Sequence, residues 1–293
     1  MAKEKLIKKQ PFKGKLAFLI GASTGMGRAA AKEFVQLGGS VLIVARRQNV
    51  LEEAGEEIKK NIFDDSQFVE IISCDATNME KLKPLIEGFI KNHGVPDYLF
   101  NLVGFAIPGY IENYTLDDFK NNMNVNYYGQ LVPTLILLPY FIKEKRGHII
   151  FFSSLLGFMG MMGYGAYIPT KFAIVGLAES LRNELKPHNI KISVVYPPDT
   201  NTPGLSTENE GKPPECVIMS ETGGLLEPEE VAEYVIKKVM KNKLHISPGN
   251  AKPIRYIHRI FPKLVRWFMD RDYKKARKKL RKKQLKSKED PPK

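Results

Sequence analysis

Short apolar runs alternate with amphipathic stretches along most of the chain. Residues 15–20, 40–45, 68–73, 98–101, 148–153 and 191–196 have strand length and are dominated by Val, Ile, Leu and Phe. Near-continuous runs of this kind suit strands buried on both faces. Between them, 26–37, 50–60, 79–92 and 164–185 carry helical spacing, and 229–241 predicts a last helix before a short strand at 244–247. The alternation predicts βαβ units and an α/β fold, with one doubly wound parallel sheet covered by helices on both faces. Residues 1–12 form a polar lead, 13–250 the domain, and 251–293 a tail. Within the domain, 199–226 is rich in Pro, Gly, Glu and Thr without clear periodicity, and is expected to be a lid loop.

Charge changes this picture at one end only. The net charge is +13, yet residues 252–293 hold 17 Lys or Arg against four acids, and the other 251 residues carry 28 of each sign. The body is neutral and the tail is basic. Two cysteines, Cys74 and Cys216, cannot build a disulfide framework or a four-ligand zinc site, so a reducing compartment and no metal are expected. The apolar stretch 131–142 is too short to cross a bilayer, and the lysine-rich start has no apolar core. A cytoplasmic protein without a transmembrane segment or signal peptide is expected.

Gly21-Ala22-Ser23-Thr24-Gly25-Met26-Gly27 follows the first strand and opens the first domain helix. Glycines there let the backbone approach a pyrophosphate, whose charge the helix N-terminus favours. The spacing is GxxxGxG, which could also be a turn without a ligand. A Rossmann-type site for a dinucleotide is expected. Strand two ends in Ala45-Arg46 where an NAD site usually places an acid. Arg46, helped by Ser23, suits a 2′-phosphate and so NADPH, unless it merely solvates a strand end. Asp75, followed by Ala76, is placed to meet an adenine amino group or to cap a helix.

Tyr167 and Lys171 are four residues apart, on one face if helical. An ammonium beside a phenol lowers its pKa and opens proton traffic in both directions. Ser154, at a strand end, can hold a carbonyl oxygen. Ser154, Tyr167 and Lys171 behind a glycine turn resemble the short-chain dehydrogenase/reductase family over about residues 12–250. The resemblance implies that Asn126 is a fourth catalytic residue, with Asn124 as the neighbour it could be confused with. It also implies that Asn101, Gly104 and Pro197 flank the cofactor with Tyr167 and Lys171, and that no metal takes part. Leu102 and Val103 depart from the usual small polar pair.

The run Tyr196-Pro197-Pro198-Asp199-Thr200-Asn201-Thr202-Pro203-Gly204, with Lys171-Phe172-Ala173-Ile174, narrows the likeness to 3-ketodihydrosphingosine reductases, although Asn201 stands where Asp is usual. The resemblance implies reduction of the 3-keto group of a long-chain amino ketone in sphingolipid synthesis, with Tyr167 as proton donor. Another lipid-like ketone, or cofactor sensing without turnover, are the alternatives. The lid acids Asp199, Glu208, Glu210, Glu215 and Glu221 are candidate partners for a substrate amine. Phe158, Met159, Met161, Met162 and Tyr164 suit an alkyl chain or simply pack the lid.

In the tail, a helical projection puts Ile254, Ile257, Phe261, Leu264, Val265 and Phe268 on one face and Arg255, Arg259, Lys263 and Arg266 on the other. Pro262 is expected to break the helix, and 274–288 to be extended or weakly helical. An apolar face beside a polybasic run fits an in-plane anchor on an anionic membrane. A partner subunit or nucleic acid are the competing occupants, and the scarcity of aromatics among the lysines argues against nucleic acid. A homo-oligomer paired through 164–185 is a further expectation.

Overall fold

The computed structural model describes residues 2–220 and 224–289. Among them, seven strands form one parallel sheet: β1 (Leu16–Ile20), β2 (Ser40–Ala45), β3 (Val69–Ser73), β4 (Tyr98–Asn101), β5 (Gly147–Phe152), β6 (Ile190–Val195) and β7 (His245–Ile246). Their spatial order is β3-β2-β1-β4-β5-β6-β7. Helix α1 (Ala2–Lys9) precedes β1. The crossovers contain α2 (Gly25–Gln36), α3 (Gln48–Lys59), α4 (Met79–His93), α5 (Leu116–Met123), α6 (Gly129–Glu144) and α7 (Ile168–Glu184). The lid carries α8 (Pro203–Glu210) and α9 (Pro214–Ser220), and α10 (Pro228–Val239) returns the chain to β7. The tail is α11 (Ala251–Ile260) and α12 (Pro262–Glu289).

The continuous apolar runs have the expected physical cause. Successive side chains of a strand point to opposite faces, and here both faces are covered. Ala17, Leu19, Val41 and Ile43 pack with α2, α3 and α10. Phe18, Ile20, Leu42 and Val44 pack with α4, α6 and α7 on the other side. The sheet order reverses between β1 and β4, where Ile20 pairs with Asn101. The crevice beyond the carboxyl ends at such a reversal is where ligands bind in open α/β sheets.

Three segments differ from the sequence expectation. The helix expected from residue 164 starts at Ile168, so Tyr167 is its N-cap and Pro169 sits in its first turn. The lid is partly helical, and its ends are pinned together where Asn201 N–H donates to Leu226 O at 2.8 Å and Leu226 N–H to Asp199 O at 3.1 Å. The lysine run is helical through Glu289. Its missed signal is Tyr273, Ala276 and Leu280 at three- and four-residue spacing, with Ala276 fully buried. Tertiary packing of that stripe, with α12 lying against α9, supports a helix that the lysines alone would not.

Candidate active site

The glycine turn is built for close backbone approach. Gly21 has φ +88°, and a Cβ there would lie 2.8 Å from Val103 N. A Cβ on Gly27 would lie 2.4 Å from Gly21 O. Only glycine lets the turn fold back this tightly. The Thr24 side chain does not cap α2, which leaves the first N–H groups of that helix to a ligand. Residues 21–27 therefore fit a dinucleotide pyrophosphate. Ser23 is buried beside the turn. Arg46 is largely exposed, with Nη1 3.9 Å from Asp75 Oδ2. Asp75 Oδ1 accepts from Thr77 N–H at 2.9 Å and Thr77 Oγ1–H at 2.8 Å, with buried Ala76 between them. Asn78, not Asp75, caps α4.

Ser154 follows β5 with an extended backbone, and its Oγ accepts from Leu156 N–H at 3.1 Å. That bond fixes the oxygen and leaves the hydroxyl proton to be donated elsewhere. Ser154 and Tyr167 share a side-chain hydrogen bond. Burial pushes the Tyr167 phenol well above its ordinary pKa, and the carboxylates of Glu208 and Asp199 push the same way. Lys171 is 4% exposed. Its Nζ donates to Phe152 O at 3.0 Å and lies 5.4 Å from the centre of the Tyr167 ring. Burial takes Lys171 down to about 7. Desolvation, rather than lysine–phenol attraction, dominates both groups in the folded chain.

Asn126 and Asn124 are told apart by a π-helical turn, Asn124–Tyr128, between α5 and α6. The extra residue leaves Asn124 exposed and turns Asn126 inward, fully buried. Asn126 Oδ1 accepts from Phe105 N–H at 2.8 Å, and Nδ2 donates to Phe105 O at 2.9 Å and Thr170 Oγ1 at 3.1 Å. Asn126 thus ties the loop after β4 to the helix carrying Lys171. Gly104 lies in that loop, and a Cβ on it would sit 3.0 Å from Lys171 Nζ. Asn101 is fully buried and donates to Thr134 Oγ1 at 3.0 Å. Gln130 was not singled out in the sequence. Its Nε2 donates to Phe152 O at 2.9 Å and its Oε1 accepts from Phe152 N–H at 3.0 Å, which sets the carbonyl that anchors Lys171. A lone polar residue at the start of an apolar helix was the available signal.

Ser154, Tyr167 and Lys171 share a cavity of 340 Å³ with Met26, Gly104 and Pro197. Asp199 and Glu208 line it from the lid, and Ile254, Met269 and Asp272 from the tail. Lys212, its side chain 3% exposed, places Nζ 3.2 Å from Glu208 Oε1 and 3.9 Å from Asp199 Oδ2. Tyr164 O–H donates to Glu208 Oε1 at 2.6 Å. Among the other lid acids, Glu215 accepts from Tyr110 O–H at 2.6 Å, Glu210 is exposed, and Glu221 lies outside the described residues.

The family model for short chain dehydrogenase matches residues 15–213, from β1 through the first lid helix. The chain belongs to the short-chain dehydrogenase family. It is an oxidoreductase of the CH–OH/C=O type. The 3-dehydrosphinganine reductase of Danio rerio is 38% identical over 247 residues, covering 83% of this chain and 74% of that protein. The 3-ketodihydrosphingosine reductase of Dictyostelium discoideum is 38% identical over 249 residues, covering 80% and 75%. The crystal structure of apo LigD from Sphingobium sp. strain SYK-6 matches with a TM-score of 0.71 and 28% identity, covering 88% of this chain and 97% of that one. Where this short-chain dehydrogenase carries Leu102 and Val103, the Val103 backbone packs against Gly21. The substitution leaves the glycine turn intact.

Proposed function

We propose that this chain reduces the 3-keto group of 3-ketosphinganine to sphinganine, with NADPH as hydride source, in sphingolipid synthesis. The observation that carries the reading is the position of Asp199 and Glu208, which line the same cavity as Ser154, Tyr167 and Lys171. A 2-amino-3-ketone bears its ammonium on the carbon next to the reacting carbonyl, so the ammonium enters the cavity that these two carboxylates line. Two carboxylates and Lys212 leave one formal negative charge for it to neutralise. The names of the relatives support the same substrate class.

Bound NADPH supplies the hydride. Residues 21–27 would hold its pyrophosphate, Arg46 with Ser23 its 2′-phosphate, and Asp75 and Ala76 its adenine, while Gly104 and Pro197 would flank it from the cavity lining and the fully buried Asn101 supports the end of β4 behind them. Tyr167, kept protonated by burial, gives its proton to the ketone oxygen. Ser154 donates a hydrogen bond to that oxygen, and Lys171, which would also hold the cofactor ribose, returns a proton to Tyr167. Asn126 positions both the Gly104 loop and α7. The test is NADPH oxidation with 3-ketosphinganine beside acetoacetyl and steroid ketones. Tyr167→Phe should abolish reduction and leave NADPH binding nearly intact. Preference for a steroid or acetoacetyl ketone, or near-normal turnover by Tyr167→Phe, would overturn the assignment.

The reading also places the body at an anionic membrane surface. Ile257, Ile260, Phe261, Leu264, Trp267 and Phe268 are all exposed on α11, α12 and the residue joining them, next to the basic run of 274–283. No described helix is long and apolar enough to cross a membrane. A peripheral contact would bring the site to a lipid-borne substrate.

A further inference from the structure

A second cavity, of 550 Å³, lies between the 158–162 segment and the two tail helices. Phe158, Met161, Met162, Met219, Val265 and Met269 form its apolar lining. Met159, Met161, Met219 and Met269 also line the catalytic cavity, so every described residue that the two linings share is a methionine. Methionine is unbranched and polarizable, and adapts to irregular apolar ligands. The charged lining residues Arg266 and Asp270 are exposed, whereas Met159 is buried and Met161, Met162 and Met269 are partly buried. Phe172, Arg266 and Asp270 therefore mark the open side and the methionines the depth. α12, which walls the cavity with Val265 and Met269, also presents Leu264 and Phe268 to the outside.

From this arrangement we infer that the second cavity is the seat of the substrate's alkyl chain, entered from the catalytic cavity past the methionines and roofed by α11 and α12. The inference rests on the proposed reaction for the identity of the substrate. The catalytic cavity must take the reacting carbonyl and its polar neighbours, and its lining already includes Ser154, Tyr167, Asp199 and Glu208. A long chain needs a further enclosure. At 550 Å³ the second cavity falls within the roughly 300–1,000 Å³ of pockets that enclose small ligands. In this arrangement the tail selects chain length as well as facing the membrane.

The test is a homologous series of n-alkyl alcohols, measured by calorimetry for binding to the full chain, with the matching 2-amino-3-ketones measured for turnover. Each methylene buried in an apolar seat should tighten binding by roughly 3–4-fold until the cavity is filled. Val265→Trp fills the seat from α12 without touching the catalytic lining. It should erase the gain for the longer members, at least about tenfold at the top of the series, and leave the shortest unchanged. Met162→Trp, from the opposite wall, should repeat the effect if Val265→Trp lowers the melting temperature. Length-independent binding, or an equal loss for short and long members, would overturn the seat. Length-dependent alcohol binding that Val265→Trp truncates, with no ketone in the series turned over, would uphold the seat and overturn the reductase reading instead.

Discussion

Asp199→Asn separates recognition of the amine from the chemistry of the ketone. Asparagine is nearly isosteric, and the bond that pins the lid end here, Leu226 N–H to Asp199 O, is made by the backbone and survives. Asp199 is the looser partner of Lys212, at 3.9 Å with a side chain 42% exposed, so its removal costs little in folding. A charge-assisted hydrogen bond is worth about 1.5–3 kcal/mol, or roughly 10–150-fold in kcat/KM, and the exposure of Asp199 places the loss near the lower end. The assay compares 3-ketosphinganine with the ketone of equal chain length lacking the amine. The amino ketone should lose about tenfold and the deaminated ketone should be unchanged. The Tyr167 pKa should fall in this variant, because one of two carboxylates that raise it is gone. Glu208→Gln serves as the contrast. It leaves the nearly inaccessible Lys212 with only the more distant Asp199 and should lower the melting temperature. Equal losses for both ketones in Asp199→Asn, or none for the amino ketone, would refute amine recognition by this carboxylate.

Three further outcomes test other parts of the site. Ala45→Asp with Arg46→Leu should shift cofactor preference from NADPH toward NADH, and equal use of the two by the unmodified chain would remove Arg46 from specificity. Ketone reduction consumes a proton that Lys171 relays, and burial brings Lys171 to about 7, so kcat/KM for reduction should decline as pH rises through that value. Lys171→Arg, which keeps its charge, should move any remaining activity's decline to higher pH. Replacing Lys278, Lys279, Lys282 and Lys283 by Glu should abolish binding to anionic vesicles in low salt while leaving turnover of a soluble ketone unchanged, and equal binding to neutral vesicles would argue against an electrostatic anchor.

The parts of this protein legible in the sequence are those written in contiguous residues. Apolar runs such as 40–45 imply a doubly covered sheet because burial on both faces requires every side chain to be apolar. The glycine turn and the Tyr167–Lys171 spacing are local, since a strand–turn–helix and one helical turn fix them. The position of Arg46, one residue past the end of β2, is local for the same reason.

What only the tertiary structure decided lies between distant segments. The π-helical turn that buries Asn126 and exposes Asn124 depends on partners at Phe105 and Thr170. Of the four described lid acids, Asp199 lines the cavity from the pinned lid end and Glu208 from α8, with Lys212 and Tyr164 holding Glu208 in place. The tail shows the limit most clearly. A helical projection sorts residues by angle but cannot say what each angle covers. It grouped Ile254 and Val265 with Ile257, Phe261, Leu264 and Phe268, and set Arg255 opposite. In the fold, Ile254 and Val265 line the cavities and Arg255 lies over the Tyr196 ring at 5.3 Å, while the rest of that apolar group is exposed. One amphipathic pattern thus covers two environments, because burial belongs to the surface a helix meets and not to the helix alone.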